Sequence, residues 1–168
     1  MRNRFRTLNK SQSLGLVLIL IAMSSERLYA ASVQTTITAT ILSPIAISKQ
    51  QDLSFGEVYP DVALAGTVTV DFSGGRSFAG GAAAGSLSGS AGAFTVTGES
   101  GAFYVLTIPA TVNLTGPGSD MPVALTNNAS GTLNSGSDSF KIGGVLTVDA
   151  NQGAGAYSAT FDVIVNYN

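Results

Sequence analysis

The sequence contains no cysteine, no histidine and no tryptophan, and only 11% of its residues are charged. Each gap excludes chemistry. Without cysteine there is neither a disulfide framework nor a thiolate nucleophile. Without histidine there is no imidazole to move the proton in a Ser-His-Asp hydrolase. Lacking both, the chain cannot build a zinc site from these ligands. No Gly-x-x-x-x-Gly-Lys-Ser/Thr phosphate loop occurs. The acidic residues Asp61, Asp71, Glu99, Asp120, Asp138 and Asp149 fall in or beside turn signals. There, aspartate commonly bonds its own backbone, so they read as turn residues and not as a catalytic carboxylate pair. Asp120 after Gly116–Ser119 and Asp138 after Asn134–Ser137 resemble fragments of a calcium site, but no twelve-residue calcium loop is present. The expectation is a protein that is not an enzyme, with no catalytic, cofactor-binding or metal-ligating residues.

Cations are scarce too, and their placement is uneven. Five of the eight, Arg2, Arg4, Arg6, Lys10 and Arg27, precede residue 28. They flank the apolar run Leu14–Met23, which is followed by Leu28-Tyr29-Ala30-Ala31. Basic, apolar and small-residue regions in that order mark a secretory signal. The run is about half of the roughly 20 residues needed to span a bilayer, so a retained anchor is the weaker reading. Residues 1–30 are therefore expected to be a signal peptide, cut after Ala30 or Ala31, and no later segment is apolar enough for a membrane helix. Residues 31–168 are the length of one ordinary domain. Only Lys49, Arg76 and Lys141 face nine acids there, a net charge of −6. That balance excludes a nucleic-acid partner, which needs a basic footprint. The expected destination is the periplasm, the cell surface or the extracellular medium.

Period-two alternation dominates what remains. From Val33 to Ile41 the odd positions are mostly apolar and the even ones are Gln34, Thr36, Thr38 and Thr40; from Tyr157 to Tyr167 the odd positions are again apolar. Alternation rich in Thr, Val and aromatics predicts strands with one buried face. Shorter strands are expected at Ile45–Ser48, Leu53–Val58, Thr67–Phe72, Ala93–Thr97, Phe103–Ile108, Thr111–Thr115, Pro122–Thr126, Ser139–Ile142 and Val145–Val148. Gly74–Gly92, nearly all Gly, Ala and Ser, reads as an edge strand or a loop. The fold class implied is all-β, an antiparallel sandwich. The expected core is Phe55, Val68, Val70, Phe94, Val96, Leu106, Ile108, Leu146, Phe161, Val163 and Val165, with Ile164 on the opposite face of the last strand. Among the tyrosines, Tyr104, Tyr157 and Tyr167 are expected in or beside the core, and Tyr59, before Pro60-Asp61, is expected to be exposed.

Several blocks carry a resemblance: Leu53-Ser54-Phe55-Gly56, Gly66–Val70, Phe94–Gly98, Leu114–Gly118, Ile142–Val148, Gly155–Phe161 and the closing Val163–Tyr167. Over nearly all of residues 33–168 the chain resembles the bacterial family called domain of unknown function 4402. That resemblance implies an exported protein of Gram-negative bacteria with an immunoglobulin-like sandwich, and it brings no catalytic residues. The ending is also similar to fimbrial subunits and to the spore coat protein U group, although many fimbrial subunits carry a disulfide that this chain lacks.

Two functions follow as expectations. The first is a structural subunit of a surface fibre or coat, with copies of itself or related subunits, and a periplasmic chaperone, as partners. An extended segment can join the sheet edge of a neighbour through main-chain hydrogen bonds and alternate side-chain pockets. Candidate assembly residues are Val33, Ile37, Ala39 and Ile41 on the N-terminal segment, which either pairs within its own sandwich or is donated to a neighbour. Tyr157, Phe161, Val163, Val165 and Tyr167 on the terminal strand complete the set. The second function is an adhesin or carbohydrate-binding module, with Tyr59 as its exposed aromatic.

Overall fold

Where a sheet has a partner on each edge of its central strand, both edges must carry strands in register. One strand here meets that demand along half its length. The computed structural model describes residues 29–168, and strand β10, Ser137–Val148, is its axis. On one edge β10 pairs antiparallel with β6 (Gly92–Thr97) through Ser137–Ile142 and then with β3 (Gly66–Val70) through Gly144–Val148. On its other edge it pairs with β9 (Met121–Asn127) through Ile142–Leu146. Outer strands extend the sheet. They are β1 (Ala46–Gln51) on β6, β4 (Arg76–Gly80) on β3 and β8 (Thr111–Leu114) on β9. Two short pairs stand apart: β7 (Tyr104–Thr107) with β11 (Ile164–Tyr167), and β2 (Val58–Pro60) with β5 (Ala82–Ala84). Every pairing is antiparallel, and no helix occurs among the described residues. The fold is all-β and sandwich-like, as the alternation implied.

The handover on β10 explains its sequence. Ile142 is bridged to Gly92 and to Asn127, and Gly144 to Val70 and to Leu125. Gly143, between them, is buried, and a Cβ placed on it would run into the Val70 carbonyl oxygen. The strand can pass from one neighbour to the next only where side chains are absent. The pair Gly143-Gly144 was expected to separate two strands; it lies inside one.

The core has two parts, and β10 feeds both from its even-numbered face. Phe140 and Ile142 pack with Phe94, Val96, Tyr104 and Leu133, the Phe140 and Phe94 rings stacking with centroids 5.5 Å apart. Leu146 and Val148 pack with Val68, Val70, Met121, Val123 and Phe55. The first part is covered on its far side by Leu106, Phe161, Val163 and Val165, from β7, β11 and the chain before β11. The second part is covered more thinly, by Val58 and Ala82 of the three-residue pair β2–β5 and by Leu53, Ala91 and Tyr157 from outside the strands.

Several expectations are corrected. Val33–Ile41 forms no strand; alternation selects a face, but a strand also needs a hydrogen-bonding neighbour. Tyr157–Tyr167 is a strand only at its last four residues, with an isolated bridge at Ser158 to Thr115. Leu53–Val58 is bridged only at Ser54, to Ser90, before β2 begins at Val58. Leu106, Ile108, Phe161, Val163 and Val165 are half-buried, because the layer that carries them is thin. The most enclosed side chains instead include Phe140, Leu133 and Ile142. Gly74–Gly92, expected as an edge strand or a loop, does supply the edge strand β4, together with β5. Of the expected signal segment, residues 1–28 lie outside the described residues.

Candidate functional site

The thin cover leaves a groove of about 820 Å³ over the second part of the core. Its floor is the inward face of β8, β9 and the end of β10: Leu114, Met121, Val123, Leu125, Leu146 and Val148. The parity follows from the pairing, since odd residues of β9 stand opposite even residues of β10. One wall is Leu53–Pro60 and the other runs from Gln152 to Ala159, with Phe161 beyond it. Of the lining residues Glu57 alone is charged, and its Oε2 accepts the Ser86 and Leu87 N–H groups at 2.9 and 3.3 Å. The groove is therefore apolar and electrostatically quiet.

The second wall presents a free backbone edge. Ser158 exchanges N–H···O bonds with Thr115, at 3.0 and 3.1 Å, and Asn168 N–H donates to the Phe103 carbonyl at 3.1 Å. In extended chain, alternate residues turn both backbone groups to the same edge. The even residues from Ser158 to Asn168 thus face β8 and β7. The odd ones, Ala159, Phe161 and Val163, turn theirs the other way, and these make no backbone hydrogen bond among the described residues.

Polar contacts fix the ends of these walls. The Tyr157 hydroxyl accepts from Gly118 N–H at 2.7 Å and donates to the Gly153 carbonyl at 2.8 Å. Gln152 Nε2 donates to the Ser119 carbonyl at 2.6 Å, while its Oε1 is buried with no hydrogen-bond partner. At the far end of the last strand, the Tyr167 hydroxyl donates to the Ser43 carbonyl at 2.6 Å and accepts from Glu99 N–H at 2.7 Å. Glu99 Oε2 takes the Ser43 N–H at 3.0 Å.

Of the assembly residues read from sequence, Tyr157 and Phe161 border the groove, and Val163 and Val165 pack against the other part of the core, the cluster that holds Val96, Tyr104 and Phe140. Tyr167 lies at the clasp with Ser43. Val33, Ile37 and Ile41 are 93%, 92% and 96% exposed, and Ala39 is exposed too. The groove floor itself was not foreseen. A strand was expected at Pro122–Thr126, but Met121, Val123 and Leu125 were not among the expected core, and nothing in their alternation tells that the layer above is thin.

Asp61 and Asp71 are occupied within their own turns. Asp61 Oδ1 accepts from Ala63 and Leu64 N–H, and Asp71 Oδ1 from Ser73 and Gly75 N–H, as turn aspartates do. The Ser73 hydroxyl, then the Gly75 N–H, holds the Asp71 carboxyl below the ordinary carboxylate range. Asp138 is an exception to the turn reading. It sits in β10, where Oδ2 takes the Tyr104 hydroxyl at 2.6 Å and the Ser130 hydroxyl and N–H at 2.8 and 3.0 Å. Burial raises its pKa, but the Tyr104 and Ser130 donors outweigh that and leave it lowered. Burial first, then the hydrogen bond and charge of Asp138, push the Tyr104 phenol well up. Among the described residues no three carboxylates gather as a metal site would need. Tyr59 is 61% exposed, on the first wall of the groove.

Comparison with known proteins finds no match among curated proteins or solved structures. A family model does match residues 45–167, the whole span that holds the strands, and the chain belongs to that family, described as a domain of unknown function, DUF4402.

Proposed function

We propose that the protein is an exported structural subunit of a surface fibre or coat, whose copies join by strand addition through the segment Val33–Ile41. The observation that carries this reading is the exposure of that segment. Val33, Ile37 and Ile41 are more than nine-tenths exposed, they recur on one face of an extended chain, and residues 31–44 hold no charge. A neutral, alternating segment in water is suited to a sheet edge elsewhere. Burying each large side chain contributes roughly 1.5–3 kcal/mol, so three give about 5–9 kcal/mol before the cost of ordering the segment.

The test is the size distribution of residues 31–168 by light scattering, for the wild type, Ile37→Asp and Thr38→Asp. The expected result is multimers for the wild type and Thr38→Asp, and a folded monomer for Ile37→Asp, since a buried unpaired carboxylate costs several kcal/mol. Because Ile37 is exposed in the single chain, the substitution leaves the fold intact. A wild type that stays monomeric at high concentration overturns the reading.

A carbohydrate-binding module is the second reading, and the exposed ring of Tyr59 favours it. Retention on a glycan array, lost in Tyr59→Ala, would support this function in place of the first.

A further inference from the structure

The handover on β10 opens a second hollow, polar where the groove is apolar. β3 and β6 meet the same edge of β10 end to end, β3 stopping at Val70 opposite Gly144 and β6 starting at Gly92 opposite Ile142. The chain leaves β3 through the turn at Asp71–Gly75 and enters β6 through Gly89–Ala91. Beside these two strand ends lies a space of about 400 Å³, whose lining includes Gln51, Phe72, Ser73, Ser90 and Lys141. That is at the small end of ligand pockets, which run from roughly 300 to 1,000 Å³. Phe140 and Ile142 are buried, so Lys141 between them stands on the outward face of the sheet.

We propose that this hollow binds an acidic saccharide, with a ring carboxylate on Lys141 and a sugar face on Phe72. This rests on the carbohydrate reading above and gives it a different site, since Tyr59 is not in the lining. None of these residues belongs to Val33–Ile41, so strand addition and saccharide binding do not compete for residues.

Three observations carry the assignment. The first is a cation without a partner. Residues 31–168 hold three cations. Lys49 pairs with Asp52 at 2.6 Å. The Arg76 guanidinium donates to the Phe55 and Glu57 carbonyls at 2.8 and 2.9 Å and lies over the Phe78 ring. Lys141 alone has no side-chain partner among the described residues, and its outward neighbours Ala93, Ser139 and Gly143 are uncharged. The acids next to the lining in sequence are exposed and already engaged, Asp52 by Lys49 and Asp71 by the N–H groups of its own turn. A single ammonium matches the single carboxylate of a uronic acid.

The second observation is a pair of acceptors. The Ser73 hydroxyl donates to Asp71 Oδ1 at 2.6 Å, and the Ser90 hydroxyl donates to the Asp52 carbonyl at 3.0 Å. Each has spent its one proton, so toward a ligand each can only accept. Acceptors suit a ligand rich in hydroxyl donors, which a sugar is and an acidic peptide is not. The Gln51 amide adds both donors and an acceptor. The third observation is the Phe72 ring, 37% exposed although it lines the hollow. An aromatic face left in water gains by covering the apolar C–H face of a sugar ring.

The test is an array carrying oligomers of galacturonate and of mannuronate, their methyl esters, neutral galactose oligomers and a glutamate peptide. Methyl esterification removes the charge and keeps the sugar. Residues 31–168 are applied as the wild type, Lys141→Gln, Phe72→Ala and Tyr59→Ala. The expected result is wild-type retention on a uronate, reduced about tenfold by esterification and about tenfold by Lys141→Gln, the loss of one charge-assisted hydrogen bond. Phe72→Ala should weaken acid and ester alike, and Tyr59→Ala should change neither. Lys141→Gln should keep the wild-type urea midpoint, because it is an outward substitution with no partner to lose. Equal retention on acid and ester, retention that survives Lys141→Gln, or equal retention on the glutamate peptide overturns the assignment. Glycan retention lost in Tyr59→Ala and kept in Lys141→Gln overturns this site while the carbohydrate reading stands. Retention on no glycan overturns both.

Discussion

Two stretches of this chain look alike in sequence and differ in what surrounds them. Phe140–Val148 and Tyr157–Val165 both alternate, both begin on an aromatic residue and both carry branched apolar side chains on one face. The first lies within β10, paired on both edges where β9 overlaps β6 and β3, with Phe140, Ile142, Leu146 and Val148 buried. The second is paired on one edge only, in pieces, and its inward residues are half-buried. Period two therefore specifies which face of a strand turns inward. It does not specify how many neighbours the strand has, because backbone hydrogen bonds are made by groups every residue shares. The groove exists where the second stretch lacks its neighbour.

The largest expected effect tests that contrast directly. Phe140→Ala should destabilise residues 31–168 by about 3–5 kcal/mol, the cost of emptying an enclosed aromatic site. Phe161→Ala should cost about 1–3 kcal/mol, because part of the side chain is already in water. Ile164→Ala should cost less again, since Ile164 is exposed on the opposite face. Urea denaturation of the three variants gives the order. A Phe161→Ala loss equal to that of Phe140→Ala would mean the last segment is covered in solution, and the groove with it.

Next in size is the crossing point on β10. Gly143→Ala places a methyl group against the Val70 carbonyl, where β10 exchanges β6 for β3. Both neighbours are strands held in register, so neither can yield cheaply, and the expected cost is about 1–3 kcal/mol. Urea denaturation of Gly143→Ala beside the wild type checks this, and an unchanged midpoint would show that the crossing tolerates a side chain.

Much of the fold was legible because side-chain patterning is local. The strand class, the inward face of β3, β6 and the last segment, and the exposure of Tyr59 all follow from residue types at fixed spacing. Leu133 was not legible: it is fully buried in a loop, inside Gly131-Thr132-Leu133-Asn134, where no period announces it. Nor was the union of Ser139–Ile142 with Val145–Val148, because two adjacent glycines serve as a turn signal and as a crossing point alike. The assembly residues were legible as an apolar face, and the groove was not. It is made by the thin cover over Met121, Val123 and Leu146, a relation among segments distant in sequence.

The smallest effect concerns the polar contact that secures the well-covered part of the core. Asp138 in β10 accepts from Tyr104 and Ser130, tying β7 and the 130–133 loop to the central strand. Its carboxyl is lowered relative to a free aspartate near 3.9. A lowered folded-state pKa contributes stability above the unfolded value, and that contribution is lost as pH falls through the folded one. The domain should therefore lose part of its stability below about pH 4. Asp138→Asn should remove that share of the acid sensitivity at a cost of about 1 kcal/mol near neutral pH, the low end for bonds to a charged group, because the site is partly open to water. Asp71 is lowered as well, but its donors, Ser73 and Gly75, lie within its own turn. Asp71→Asn should accordingly leave the Tyr104 environment untouched. Tyrosine fluorescence followed from pH 7 to 2 in the two variants separates them, and an acid transition unchanged in Asp138→Asn would show that the Tyr104–Asp138 contact does not hold that part of the core.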